Sequence, residues 1–284
     1  MLKECHLLKT EYEDLQKLQK KFEFELKKAI ESGKTEKAKE LKTQIEQKLQ
    51  SLKEKLYPKE ISANFKNSET NKTKEIKFNI PEIIEIQKAF YAGKEGMPNF
   101  NENEVKKIFQ KHKAEIQKEM ETYGYDTITI IPANLPTTET LNQKMTEGYK
   151  NATYQGVKFE DIKTSESQKT RIILTHSDQN IYNNLEANPF LKATLGKSID
   201  QLSEENIEGL SLNEYLLIQR QYFETTQKHL DENGWTWLPK SRSASRVVDA
   251  YWTPALGWLI VTASDPGVSG GSLGCRLSRS FELT

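Results

Sequence analysis

The stretch Gly234-Trp-Thr-Trp-Leu-Pro-Lys-Ser-Arg-Ser-Ala-Ser-Arg-Val-Val-Asp-Ala-Tyr-Trp-Thr-Pro-Ala-Leu-Gly-Trp-Leu-Ile-Val-Thr-Ala263 decides how the chain must be read. Side chains alternate along a strand, so Trp235 and Trp237 share one face. Residues 246–253 are β-branched and aromatic and read as a strand, 254–257 as a turn, and 258–263 as a second strand. Ser264-Asp-Pro-Gly267 is a further turn. A Gly/Ser loop over 269–272 then leads to Leu273-Gly-Cys-Arg-Leu-Ser-Arg279, a third strand closing a β-meander. Alternation directs Leu259, Val261 and Ala263 to one face, which with Trp252 we assign to the core. It turns Trp258, Ile260, Thr262 and Ser264 outward, joined by Tyr251 from the neighbouring strand and Ser269 from the loop. An outward Trp–Ile–Tyr patch rimmed by Ser and Thr suits a recognition site, unless the upstream chain covers that face.

Immediately upstream, Ser211-Leu-Asn-Glu214 fits a capping box, in which a Ser hydroxyl and a Glu carboxylate satisfy exposed amides at a helix start. That spacing predicts a helix running to Leu230, with Asn233-Gly234 as a left-handed stop. Residues 79–205 read as a mixed α/β body. Helices are predicted from Ile80, where Pro81 suits the first turn, over 101–123 with Gly124 as the stop, over 138–149 and over 190–201. Strands are predicted over 126–131 and 171–176. Before them, 58–78 is a polar linker. Residues 1–57 carry apolar stripes at three- and four-residue spacing, broken at Gly33, and read as a helical hairpin or coiled coil. The expected fold class is therefore α+β: an N-terminal helical hairpin or coiled coil, a mixed middle, and a β unit over 206–284.

Composition narrows the function. The 284 residues carry 41 Lys+Arg against 41 Asp+Glu, so no bulk basic field is present to hold nucleic acid. No apolar run reaches the roughly 20 residues of a membrane span. The first residues hold acid and no apolar region, which excludes a secretory signal and implies synthesis in the cytoplasm. Cys5 and Cys275 make neither a disulfide framework nor a metal pair. The four histidines are scattered without ligand spacing. Thr194-Leu-Gly-Lys-Ser198 lacks the first glycine of a phosphate loop. No catalytic residue, metal or cofactor is expected.

The order capped helix, Gly-Trp-x-Trp, Ser-Arg-x-Ala-Ser-Arg, tryptophan strand, Gly-Trp-Leu, Ser-Asp-Pro-Gly and Leu-Gly-Cys-Arg-Leu-Ser-Arg resembles the end of a C-type-lectin-fold domain. It is similar to the branch shared by formylglycine-generating (sulfatase-modifying) enzymes and the variable proteins of diversity-generating retroelements. Domains of that branch close on a Gly-Phe-Arg-hydrophobic-x-Arg strand, and Gly274-Cys-Arg-Leu-Ser-Arg279 stands in its place, with Cys275 in the aromatic slot. The resemblance covers the last quarter of the chain, and the Gly-Gly-Ser-Trp signature usual upstream is missing. It implies one of two roles. The enzymes need a pair of cysteines holding copper, which Cys5 and Cys275, at opposite ends of the chain, do not supply. The variable proteins use the fold as a rigid platform for a substituted binding surface. We therefore expect a non-enzymatic display protein recognising a protein or glycan. The alternative is a structural or assembly protein of a phage particle or envelope, acting through 1–57, which could also join copies of the chain.

Overall fold

The computed structural model describes residues 79–154, 156–176, 194–232 and 234–283, which all belong to one compact unit spanning Lys74–Thr284. The hairpin or coiled coil read over 1–57 and the linker over 58–78 lie outside the described residues, as do residues 190–193 of the helix predicted over 190–201; its described part turns at 195–196 and is continuously helical only from Ile199.

Two helices begin the unit. In α1 (Ile80–Ala92), Pro81 sits in the first turn, and Ile84, Phe90 and Tyr91 are buried along one face. In α2 (Glu102–Tyr123), the Asn101 side chain accepts from the Asn103 and Glu104 amides, and Gly124 ends the helix at φ 69°. Its apolar stripe of Val105, Ile108, Phe109, Ile116 and Met120 is buried. Then follow β1 (Thr127–Ile131), α3 (Thr138–Met145), β2 (Lys150–Thr153), β3 (Ile162–Thr164) and β4 (Arg171–Thr175). The short helix α4 (Ile199–Glu204) and the capped helix α5 (Leu212–Thr226) precede the strands β5 (Trp235–Ser243), β6 (Arg246–Thr253), β7 (Trp258–Ser264), β8 (Leu273–Cys275) and β9 (Ser278–Glu282). The mixture of helices and sheets makes this an α+β protein.

The strands form two sheets. One has the order β1-β4-β9, antiparallel throughout. The other runs β2-β7-β6-β5-β3, with β8 alongside β5; here β2 lies parallel to β7, and β8 parallel to β5. The sequence reading set a boundary between 205 and 206, yet β2, β3 and β4 from before it pair with β7, β5 and β9 from after it. The two stretches share their sheets and one apolar core, in which Ile130, Ile172 and Leu174 join Leu216, Leu238, Trp252, Leu259 and Val261.

Three local expectations are corrected. Helix α5 stops at Thr226, not Leu230, because Gln227 takes the left-handed conformation at φ 57°. The stretch 273–279 is not one strand: it pairs with β5 as β8, crosses at Arg276-Leu277, and enters the other sheet as β9. Close packing sets that crossing. Gly209 bridges to Leu277, and a Cβ on it would lie 2.5 Å from the Cys275 sulfur. Arg276 and Arg279, whose alternate spacing in this stretch would suit anchoring to a carboxylate such as Asp249 or Asp265, pair with others. Arg276 is fully buried and donates to Asp231 at 2.8 Å and to the His176 carbonyl, while the half-exposed Arg279 reaches Glu208 at 3.2 Å.

The capping box is complete. Ser211 Oγ accepts from the Glu214 amide at 3.1 Å, and Glu214 accepts from the Ser211 amide at 2.8 Å. Its members also tie the helix start to the body. Glu214 receives two bonds from Arg171 of β4, while Ser211 Oγ and Asn213 both donate to Glu166.

Candidate functional site

Residues directly opposed in a ladder point to the same side of the sheet, so the register of β5, β6, β7 and β2 defines one face. Across it run Trp237, Asp249 and Thr262 in one row, then Tyr251, Ile260 and Ala152, then Thr253, Trp258 and Lys150. The face therefore unites five of the six residues expected to bind ligand: Tyr251, Trp258, Ile260, Thr262 and Ser264. Ser269 is exposed in the loop before β8.

The expected exposure needs correcting. Ile260 and Thr262 are 1% and 3% exposed, not outward in solvent. They sit on β7 between two paired strands, β6 and β2, and Asp249 and Tyr251 stand beside them. The upstream chain also covers one end of the face. Ile199 and Leu202 of α4 pack on Trp237 and Val247, together with Leu273 and Cys275, and the Trp237 indole donates to the Lys197 carbonyl at 3.1 Å. Ser198, read as part of a broken phosphate loop, caps α4 instead. The opposite assignment holds: Leu259, Val261, Ala263 and Trp252 are buried in the main core. Trp252 stacks on His229 with ring centroids 3.3 Å apart.

The uncovered part of the face is aromatic. Tyr251 and Trp235 are half-buried, with ring centroids 3.7 Å apart at 32°. Trp258 is half-buried, and the Lys150 ammonium lies 5.7 Å from its ring centroid. Tyr154, which continues the alternation of Lys150 and Ala152 and hydrogen-bonds through its amide to the Val261 carbonyl, is 46% exposed.

Beneath these rings lies a carboxylate. Asp249 is 1% exposed; Oδ2 accepts from Ser264 Oγ at 3.0 Å, and Oδ1 has no partner. The Thr262 hydroxyl opposite it is also buried without a partner. Burial pushes the Asp249 carboxyl up to about 7, against the smaller opposing effects of the Ser264 bond and the Arg246 charge. Asp249, Trp235 and Tyr154 escaped the sequence reading as site residues. The signal for Asp249 was present, since Val247, Asp249 and Tyr251 alternate onto one face. Tyr154 had none, because nothing local predicts that β2 pairs with β7.

His229 and Cys275 serve the fold. His229 is sandwiched between Phe223 and Trp252, bonded to Gln219, and its pKa is lowered to about 4 by burial. The Cys275 thiol is buried and pushed up to about 12, which leaves it protonated and unreactive. Among the described residues, no group of three or more His, Cys, Asp and Glu side chains is placed to hold a metal ion, and no helix is long and apolar enough to cross a membrane. The chain matches no family model, no curated protein and no solved structure.

Proposed function

We propose that this is a non-enzymatic binding protein. Residues 206–284 carry a C-type-lectin-like platform, and the aromatic face of β5, β6 and β7 recognises a protein or glycan. The observation carrying this reading is the set of half-exposed rings, Trp235, Tyr251 and Trp258, standing beside a buried carboxylate and hydroxyl that the chain leaves unsatisfied. A satisfied core does not need such groups, whereas a recognition surface combines rigid aromatic area with a few fixed polar contacts. The platform reading is supported by the pairing of β4 with β9, which brings the chain's last strand back beside one that precedes α5 and the β5-β6-β7 meander. Against a formylglycine-generating chemistry stands the buried, protonated Cys275.

The full-length chain, screened on a glycan array and a displayed peptide library, should select ligands whose binding Tyr251→Ser abolishes. Leu256→Ser, at an exposed turn residue, should retain it. Ligands indifferent to Tyr251→Ser, or carried entirely by 1–78, would favour the assembly role instead. Diversification has its own test. A reverse transcriptase gene nearby, with a near-copy of the 3′ coding end differing mainly at adenines, is expected on this reading.

A further inference from the structure

Four carboxylates are buried among the described residues: Glu166, Glu214, Asp231 and Asp249. Three have a cationic partner within the chain, Glu214 with Arg171 at 3.1 Å, Glu166 with Arg171 at 3.8 Å, and Asp231 with Arg276 at 2.8 Å. Among the described residues Asp249 has none within ion-pair distance. Arg246, whose charge acts on Asp249, donates to the Ala263 carbonyl at 3.2 Å. A buried carboxylate without a counter-charge is costly, and a chain that pairs the other three leaves this one open on the face that carries its exposed rings.

We propose that the counter-charge comes from outside: the aromatic face takes a basic side chain of a partner protein, lysine or arginine, whose cationic head pairs with Asp249. The proposal rests on the recognition role given above and names the chemistry of that site. Three features fit a cation rather than a neutral group. Asp249 Oδ1 and Thr262 Oγ1 are adjacent open acceptors, and an ammonium or guanidinium group has several donors to give. Trp235 and Tyr251 offer ring faces beside them, where a cation gains from the π quadrupole. The chain's own Lys150 already rests over Trp258 in the next row, so this face accommodates a cation on its rings. A slender aliphatic stem reaches the carboxylate by parting the half-exposed Tyr251 from the exposed Tyr154, and buries against Ile260.

The test uses the full-length chain labelled with 5-fluorotryptophan and titrated with Nα-acetylated lysinamide, argininamide and norleucinamide, the last then neutral, and with glucosamine, followed by fluorine NMR. Lysinamide or argininamide should shift the Trp235 and Trp258 resonances at millimolar concentration, with affinity falling as salt rises, while norleucinamide at equal concentration should not. Asp249→Asn, close in shape, should weaken the cationic probes at least tenfold with the remaining resonances in place. Thr262→Val, which keeps the carboxylate, should weaken them less, so loss of fold at residue 249 does not leave the matter open. An equal response to norleucinamide, or undiminished binding in Asp249→Asn, overturns the proposal. A glucosamine response as strong as that to lysinamide overturns the assignment to a protein side chain. An uncharged ligand that binds, needs Tyr251 and ignores Asp249→Asn sinks the cation inference and keeps the recognition face. If neither library nor probe yields binding that depends on Tyr251, both readings fall.

Discussion

Asp249 carries a stability signature that follows from its surroundings alone. Its carboxyl is raised by burial from the ordinary 3.8 to about 7 in the folded protein. The folded state then holds the proton more tightly than the unfolded chain does. The contribution of Asp249 to stability is greatest below about pH 4, falls as pH rises from about 4 to about 7, and levels off above that. Asp249→Asn removes this titration. Denaturant unfolding of the variant should match or fall slightly below the wild type at pH 4, yet exceed it at pH 8 by on the order of a few kcal/mol. The same difference at both pH values would mean that the carboxylate has a partner in solution. A residue selected for stability alone would not be a buried aspartate here, since an amide or an aliphatic side chain avoids the penalty above pH 7. Alternation along β6 makes the position of Asp249 legible from sequence. Its lack of a charged partner is not, because that depends on where every neighbouring cation ends up.

The capped start of α5 is the element most fully encoded in a short motif. Ser211-Leu-Asn-Glu214 announces the box, and both reciprocal bonds form. What the motif does not show is that its side chains work twice. Ser211 Oγ also donates to Glu166, and Glu214 also accepts from Arg171, so the cap is a junction between α5 and the β4 strand. Ser211→Ala should therefore cost more than an ordinary cap, about 2 kcal/mol or above, because the buried Glu166 loses a donor as well. Glu166 already has its pKa raised by burial, so the variant should also lose stability toward alkaline pH more steeply than the wild type. Thermal unfolding across pH 5–8 would show whether the cost stays within a cap's usual range. Strands were legible where composition is β-rich, as in β1, β4, β6 and β7. They were missed where it is not: β2 reads Lys-Asn-Ala-Thr and exists because β7 offers it an edge. The same tertiary rescue explains why β8 and β9 were read as one strand, since only the two separate sheets divide them.

For the whole molecule, the shared sheets set what can be cut. A fragment of 206–284 lacks β2, β3 and β4, and exposes the partners they cover along β7, β5 and β9. It should give no cooperative melt, whereas 74–284 should unfold in a single transition by circular dichroism and tryptophan fluorescence alike. A cooperative transition from 206–284 alone would restore it as an independent domain. The α+β class was readable from the change in periodicity along the chain, but long-range pairing was not, because a strand's partner is set by the apolar surface that remains to be covered. The β4–β9 ladder has a further consequence, in the time taken to build the protein. Strand β4, with Ile172, Ile173 and Leu174 all buried in the finished molecule, leaves the ribosome after β1, which can occupy one of its edges. Its other edge waits for β9, encoded roughly a hundred residues later, and at about 5–20 residues per second that is an interval of about 5–20 s. During it an apolar strand stands open on one side in a crowded cell. A nascent chain stalled before residue 278 should thus bind a holdase chaperone, and the chain released from the ribosome with β9 free to pair should let it go.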